Sequence, residues 1–150
     1  MPRPLTTPER EAFLAEPHIA VLSVASASER PPLTIPIWYH YQPGATITFF
    51  TGTQGRPARK TRLIQQAGVV SLCVQRPTFP YKYVTVEGTL VHSDQPPATA
   101  QMLAIVRRYL PEAMAAAFVS AELARPSPTL VLFTIRPDRW LSFDFSDDAA

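Results

Sequence analysis

Hydrophobic positions along the chain follow two patterns: short apolar or alternating runs, typical of strands, and stretches with helical spacing. We predict helices over 7–15, 58–67, 96–110 and 111–124, and strand-like runs over 18–26, 33–41, 45–51, 69–75, 81–93, 129–137 and 139–145. Most connections between the strand-like runs are of hairpin scale. The pattern therefore predicts an α+β fold around an antiparallel sheet of about six strands, which at this size tends to curl into a barrel.

Glycine, proline and capping residues mark the ends of these elements. Thr6 and Glu9 have the spacing of a capping box at the start of the first helix. Pro36 should keep its strand at a sheet edge or a bulge, because proline has no N–H for the ladder. Pro43-Gly44 has the residues of a type II turn, Gly68 should end the second helix, and Gly88 indicates a bulge.

Composition favours one domain over residues 1–150, with a core that needs no disulfide or metal. The N-terminus carries acids and prolines rather than a signal peptide, and no long apolar run exists, so we expect a cytoplasmic protein without membrane contact. Cys73 is the single cysteine, and the three histidines lie far apart, so we expect no metal site. Charged residues make up only 17% of the chain, which makes a homo-oligomer plausible.

Charge is distributed unevenly along the chain. The net charge is +2, yet residues 30–86 contain no acid at all. The same stretch has seven basic residues, namely Arg30, Arg56, Arg59, Lys60, Arg62, Arg76 and Lys82. Such a local surplus inside a nearly neutral protein indicates an anion site.

The start of the second helix is the densest part of this surplus. With Pro57 at the first helical position, Arg56 would be the cap, and arginine cannot satisfy the free N–H groups of a first turn. Those donors, the helix dipole, the neighbouring cations and the hydroxyl of Thr51 or Thr53 together suit a phosphate. Lys60 precedes Ile64 by one turn and should lean over the edge of the core.

Two other readings of the basic segment remain open. It could be a solvated basic helix face, as charge runs often are. Nucleic acid is the other natural polyanion, and aromatic residues lie nearby at 38–50. We do not expect nucleic-acid binding, because strand alternation divides these aromatics between two faces and the basic track is short.

The order of four segments resembles the pyridoxamine 5'-phosphate oxidase-like, flavin-binding split-barrel superfamily. These are AFLAEPHIAVLSVAS, LTIPIWYHYQPGATITFFTG, ARKTRLIQQAGVVSLCV and YKYVTVEGTLV. The resemblance implies a six-stranded split barrel with peripheral helices, and a homodimer with cofactor sites at its interface. Lys60-Thr61-Arg62 and the YHY segment followed by proline look more similar to the branch that uses the deazaflavin coenzyme F420. The cofactor is thus expected to be FMN or this deazaflavin.

The resemblance also implies residue roles. The strand at 34–38 would lie along the flavin ring, Arg59-Lys60 would bind the cofactor phosphate, and Trp140 would approach the cofactor from the partner subunit. Combined with the basic segment, the candidate cofactor-binding residues are Pro36, Ile37, Trp38, Thr51, Gly52, Arg56, Arg59, Lys60, Arg62, Tyr83 and Trp140.

The expected function is a flavin- or deazaflavin-dependent oxidoreductase acting on a small substrate, in which the cofactor carries the hydride chemistry. The alternative is a flavin- or haem-binding carrier or sensor without turnover. The chain ends at RWLSFDFSDDAA, without the extended segment that binds the substrate phosphate in the oxidase that makes pyridoxal phosphate, so that activity is not expected. No catalytic acid or base is assigned, although His40 and Tyr83 are possible. The loop 76–80 and the helices at 96–124 should shape a pocket for a hydrophobic or planar molecule.

Overall fold

The structure is a computed structural model that describes residues 1–52, 58–125 and 130–149. Its helices are α1 (Thr7–Ala15), α2 (Arg59–Ala67), α3 (Thr99–Val106) and α4 (Glu112–Leu123), and a 3-10 turn covers Ser146–Ala149. Its strands are β1 (Ala20–Val24), β2 (Leu33–Ile37), β3 (Tyr39–Tyr41), β4 (Ile47–Gly52), β5 (Val69–Arg76), β6 (Lys82–Asp94) and β7 (Leu130–Asp144). The α+β class is confirmed.

All seven strands form one antiparallel sheet in the order β2-β1-β5-β6-β7-β4-β3. The sheet is open, since its first and last strands are not paired with each other. Yet β2 and β3 are separated in sequence by Trp38 alone, so the sheet must curl until its two edges meet there. This is the geometry of a split barrel, with the split at Trp38.

The predicted count of six strands is wrong, since the structure has seven. The run 33–41 is divided at Trp38 into two edge strands that pair with different neighbours, β2 with β1 and β3 with β4. Pro36 lies in β2, and its expected position at a sheet edge is confirmed. Pro36 is the second-last residue of β2. Because proline has no N–H, it removes one ladder donor near the point where β2 stops pairing with β1.

The predicted break between the last two strands is also wrong, because β7 is continuous. Pro137, expected to end a strand, lies opposite Gly88, where the pairing of β6 and β7 shifts register. A bulge tolerates a proline because the ladder is already interrupted. Gly88 is required for a steric reason: a Cβ there would lie 2.3 Å from Ile135 Cγ2 and 2.9 Å from the carbonyl oxygen of Arg136.

Other element ends that were predicted from capping, turn and glycine residues agree with the structure. The Thr6–Glu9 capping box is present on α1, and Gly44 has φ of 72° in a turn closed by the bond from Ala45 N to Gln42 O. Gly68 ends α2 in the left-handed conformation. The start of α2 differs from the prediction: it begins at Arg59 after Ala58, whereas the predicted first position, Pro57, lies outside the described residues.

Buried side chains form two clusters. The larger fills the barrel with residues of α1, α2 and the strands, among them Phe13, Leu22 and Phe49. The smaller holds α3 and α4 against the sheet around Met102 and Val119, and Trp38 and Phe50 pack against its edge. The helical pair therefore covers the region where the sheet is split.

Candidate functional site

An open cleft of about 530 Å³ lies beside the split. Strand β2 and Trp38 form one side, the end of β4 and the start of α2 form another, and α4 reaches in with Phe118. The lining residues are Ile19, Ile35, Pro36, Ile37, Trp38, Phe50, Thr51, Gly52, Lys60 and Phe118. Six of the candidate residues, from three separate segments, are thus brought together: Pro36, Ile37, Trp38, Thr51, Gly52 and Lys60.

Three aromatic rings form one end of the cleft region, here called the aromatic wall: Trp38, Tyr109 and Phe118. Trp38 stacks on Tyr109 with ring centroids 5.0 Å apart and planes 7° from parallel. Phe118 meets the same indole at 5.9 Å and 48°. Offset stacking and tilted contacts of this kind are the favoured arrangements of aromatic pairs. The indole is thereby restrained on one face and along its edge.

The segment that supplies Tyr109 is the corner between α3 and α4. The Tyr109 hydroxyl donates to the carbonyl oxygen of His18 at 2.7 Å and accepts from the backbone N–H of Tyr39 at 3.2 Å. Arg108 donates to the carbonyl oxygens of Leu14, at 2.9 Å, and Glu16, at 2.8 Å, and also to that of Tyr39. The corner therefore ties the end of α1 and the start of β1 to the strand break.

Burial changes the titration of groups around this corner. It raises the pKa of Tyr39 to about 12 and also raises the pKa of Tyr109. Burial, followed by the charge of Arg108, lowers the pKa of His40 on β3. Both phenols are neutral near pH 7, as ordinary phenols are, and the lowered pKa of His40 favours its neutral imidazole.

The opposite end of the cleft is polar. Thr51 on β4 and Thr61 on α2 are buried, and their hydroxyl oxygens lie 2.8 Å apart in a hydrogen bond. This bond fixes the first turn of α2 against the end of β4. No side chain within the described residues caps α2, so the absence of a cap is as predicted, with Ala58 rather than Arg56 at the cap position. Lys60, half-buried, turns into the cleft beside this helix start.

The other cations of this segment point elsewhere. We call Arg59, Lys60 and Arg62 the basic helix start. Arg59 donates to the hydroxyl of Ser26 in the turn after β1, and Arg62 is exposed over a separate hollow beside Gln66. Arg56 and Thr53 lie outside the described residues. Of the basic helix start, only Lys60 lines the cleft.

The sequence of the chain matches the pyridoxamine 5'-phosphate oxidase family over residues 6–144. The chain belongs to this family. No curated protein sequence matches it. The seven-stranded open sheet, split at Trp38, is therefore this family member's version of the split barrel.

Solved structures with the same fold support the family assignment at the level of architecture. A conserved hypothetical protein of Mycobacterium tuberculosis aligns with a TM-score of 0.74 at 16% identity, covering 97% of this chain and 89% of its own. An F420 reductase aligns at 0.64 and 23%, covering 87% and 94%. A FAD-binding protein from Mesorhizobium loti aligns at 0.62 and 19%, covering 96% of both chains.

Two candidate residues of this family member lie away from its cleft. Trp140 on β7 packs edge-on to Tyr41, with centroids 5.8 Å apart, and the guanidinium of Arg10 lies 4.0 Å above its ring. Tyr83 on β6 contacts Phe143 at 6.1 Å. Neither residue lines the cleft of its own chain, so any contact with a cofactor would have to come across a subunit interface.

Several residues that shape the cleft were missed from the sequence. Tyr109 had been placed inside a helix predicted to reach residue 110, but α3 ends at Val106. Pro111 disfavours helical conformation only at Leu110, so no local signal marked a helix end as early as Val106. Phe118 and Thr61 had no local signal, since their roles depend on contacts with distant segments.

The described part of the chain contains neither a metal-binding cluster nor a membrane-spanning helix. Within residues 1–52, 58–125 and 130–149, no three His, Cys, Asp or Glu side chains are grouped so that they could hold a metal ion. In the same part of the chain, no helix has the length and apolar character needed to cross a membrane.

Proposed function

We propose that the protein is a flavin- or deazaflavin-dependent oxidoreductase whose cofactor occupies the cleft beside Trp38. One observation carries the proposal: the same cleft joins an aromatic, apolar side to the uncapped start of a basic helix. The family assignment supports it, as does the likeness in fold to an F420 reductase and to a FAD-binding protein.

The residues present fit a planar ring that carries an anionic tail. Ile37 and Trp38 offer apolar and aromatic surface for the ring, and Gly52 lines the same cleft. Lys60, in the first turn of α2, supplies a cation for a phosphate, and Thr51, at the end of β4, lines the cleft beside it. A bound flavin or deazaflavin supplies the hydride chemistry, while the protein binds and orients it.

Few side chains of the cleft could transfer a proton. Of the described residues that line the cleft, Lys60 is the one ionisable side chain. His40, considered from the sequence, is not among the lining residues. The chain's own residues would therefore act through binding, orientation and exclusion of water rather than through a general acid or base. The same observation favours the second candidate function, a carrier or sensor that binds flavin without turnover.

We further propose that the protein is a homodimer that forms through the outer face of the sheet. Ladder partners place Pro36, Val21, Cys73, Thr85 and Leu141 in one row across five strands. Val21 and Leu141 are 39% and 53% exposed, which is unusual for aliphatic residues in the middle of a sheet face. Because Pro36 belongs both to this row and to the cleft, a second copy docked here would reach the cofactor site.

Sedimentation velocity tests the dimer with a matched pair of variants. Val21→Asp places a charge in the row, whereas Val91→Asp changes a similarly exposed valine, 48% accessible, that does not belong to it. We expect Val21→Asp to give a monomer and Val91→Asp to keep the oligomeric state of the wild type. A monomeric wild type, or the same assembly in all three proteins, would exclude this interface.

Cofactor titration tests the function. The chain has two tryptophans, so Trp140→Phe leaves Trp38 as the only indole emitter. Flavin stacked near Trp38 should quench its fluorescence with saturable dependence on FMN or deazaflavin. Absence of quenching and of any visible cofactor band would reject the proposal. If a cofactor binds, bleaching by NAD(P)H or turnover with reduced deazaflavin separates an oxidoreductase from a carrier.

A further inference from the structure

Trp38 occupies a special position in the chain, since it is the single residue between strands at opposite edges of the sheet. A residue outside both ladders has no sheet neighbours to fix the direction of its side chain. Its orientation must therefore come from contacts made by other elements. In this protein those contacts come from the α3–α4 corner and from α4.

Arg108 and Tyr109 of the α3–α4 corner make different kinds of contact. Arg108 binds three carbonyl oxygens, those of Leu14, Glu16 and Tyr39, and so holds the backbone on both sides of the split. Tyr109 also bonds to the backbone, but its ring adds something that Arg108 cannot supply: a parallel face for the indole of Trp38. The backbone would thus stay anchored if Tyr109 were changed, and the indole would lose its support.

We propose that Tyr109 is a positioning residue that fixes the indole of Trp38 as the ring-binding side of the cleft and so determines how well a planar ring is held there. The proposal rests on the proposed cofactor function. Tyr109 is not among the residues lining the cleft, so it acts through Trp38 rather than by touching the ligand. The aromatic wall is accordingly pre-formed before the ligand binds, which reduces the entropy lost on binding.

Three variants, all in the Trp140→Phe background, test this role. Tyr109→Phe keeps the ring and loses the hydroxyl, Tyr109→Leu loses the stack, and Val74→Ala is a destabilised control whose change lies in the barrel core rather than at the aromatic wall. Each is titrated with riboflavin and with FMN, followed by Trp38 fluorescence. Near-ultraviolet circular dichroism reports the stacking of Trp38 directly.

We expect Tyr109→Leu to weaken riboflavin and FMN binding by the same factor, about three- to tenfold, because an aromatic pair contributes on that scale. Its near-ultraviolet signal should diminish, whereas Tyr109→Phe should keep both the signal and the affinity close to the parent. Val74→Ala should lose stability with unchanged affinity. Lys60→Ala, in contrast, should weaken FMN and spare riboflavin, since only FMN carries a phosphate.

The results separate the two proposals. If neither the wild type nor the Trp140→Phe parent binds riboflavin, FMN or deazaflavin, the proposed function itself fails. If the parent binds and Tyr109→Leu leaves both affinities unchanged, the positioning role is refuted while the cofactor function stands. A loss that Tyr109→Phe shows equally, or one matched by Val74→Ala, would assign the effect to the hydroxyl or to general destabilisation and would also overturn the inference.

Discussion

The two ends of the cleft are built in opposite ways. At the aromatic wall, rings from three segments support one another, and hydrogen bonds from the α3–α4 corner hold the chain beneath them. At the basic helix start, the cations come from one short segment and diverge: Arg59 to Ser26, Lys60 into the cleft and Arg62 to the exterior. The wall forms without a ligand, whereas the basic end offers the charge of Lys60 and the N–H groups of a first turn that no side chain of the described residues caps.

This difference indicates that the two ends of the cleft contribute differently to ligand binding. Mutually packed rings give geometric selectivity for a flat group at little entropic cost. The charge of Lys60 beside a helix N-terminus gives affinity for an anion with less demand on shape. Damage to the basic end should therefore reduce affinity most, and damage elsewhere should have smaller or different effects.

The largest effect is expected from removing the charge. Arg59→Ala with Lys60→Ala should weaken FMN binding by about 1.5 to 3 kcal/mol, because Lys60 lines the cleft and supplies one charge-assisted contact, whereas Arg59 bonds to Ser26. Isothermal titration calorimetry measures the loss. Arg107→Ala with Arg125→Ala removes the same charge from exposed ion pairs and should leave affinity nearly unchanged. Equal losses in the two double variants would mean that net charge, not the helix start, governs binding.

A smaller effect, on the free energy of unfolding, is expected where the first turn of α2 bonds to the end of β4. Thr61→Val preserves the shape of the side chain but leaves the buried hydroxyl of Thr51 without its partner. The free energy of unfolding should fall by about 1 to 2 kcal/mol, the usual cost of a buried unsatisfied hydroxyl. Urea unfolding measures it, and Thr61→Ser, which keeps the hydroxyl, serves as control. If valine were as stable as serine here, the bond would contribute nothing to holding the helix start.

The smallest effect is the pH dependence of stability that comes from His40. Burial and then Arg108 lower the pKa of His40 below its ordinary value of 6.5, so the folded protein binds this proton less readily than the unfolded chain. The stability linked to His40 is therefore complete above pH 6.5 and is lost as the pH falls through the lower folded pKa. Denaturant unfolding of wild type and His40→Gln, above and below that value, should show a smaller acid loss in the variant. Parallel losses in both proteins would contradict the assignment.

Features decided within a few residues could be predicted from the sequence. The Thr6–Glu9 box, the Pro43-Gly44 turn and the stop at Gly68 depend on local backbone geometry, and all three are present. The uncapped basic helix start was predicted for the same reason, since spacing along one helix determines which side chains are neighbours.

Features decided by distant contacts could not be predicted. Nothing near Trp38 in sequence shows that Tyr109 will stack on it, and nothing in the run 33–41 shows that its two halves will pair with different strands. The continuity of β7 through Pro137 depends likewise on Gly88, which lies on another strand. Candidates from both parts of the cleft, Trp38 and Lys60 among them, could be named from the sequence, whereas the stacking of Tyr109 and the divergence of the cations required the tertiary structure.

The single-residue link at Trp38 also bears on how the chain folds. The outermost strands of the sheet, β2 and β3, follow each other in sequence with only Trp38 between them. Bringing the two edges together therefore costs almost no loop-closure entropy. That cost falls instead on the pairing of β4 with β7, where Ile47 meets Ile135 from the far end of the chain. Contacts of such high sequence separation slow folding, so we expect the pairing of β4 with β7, rather than the closure at Trp38, to limit the folding rate.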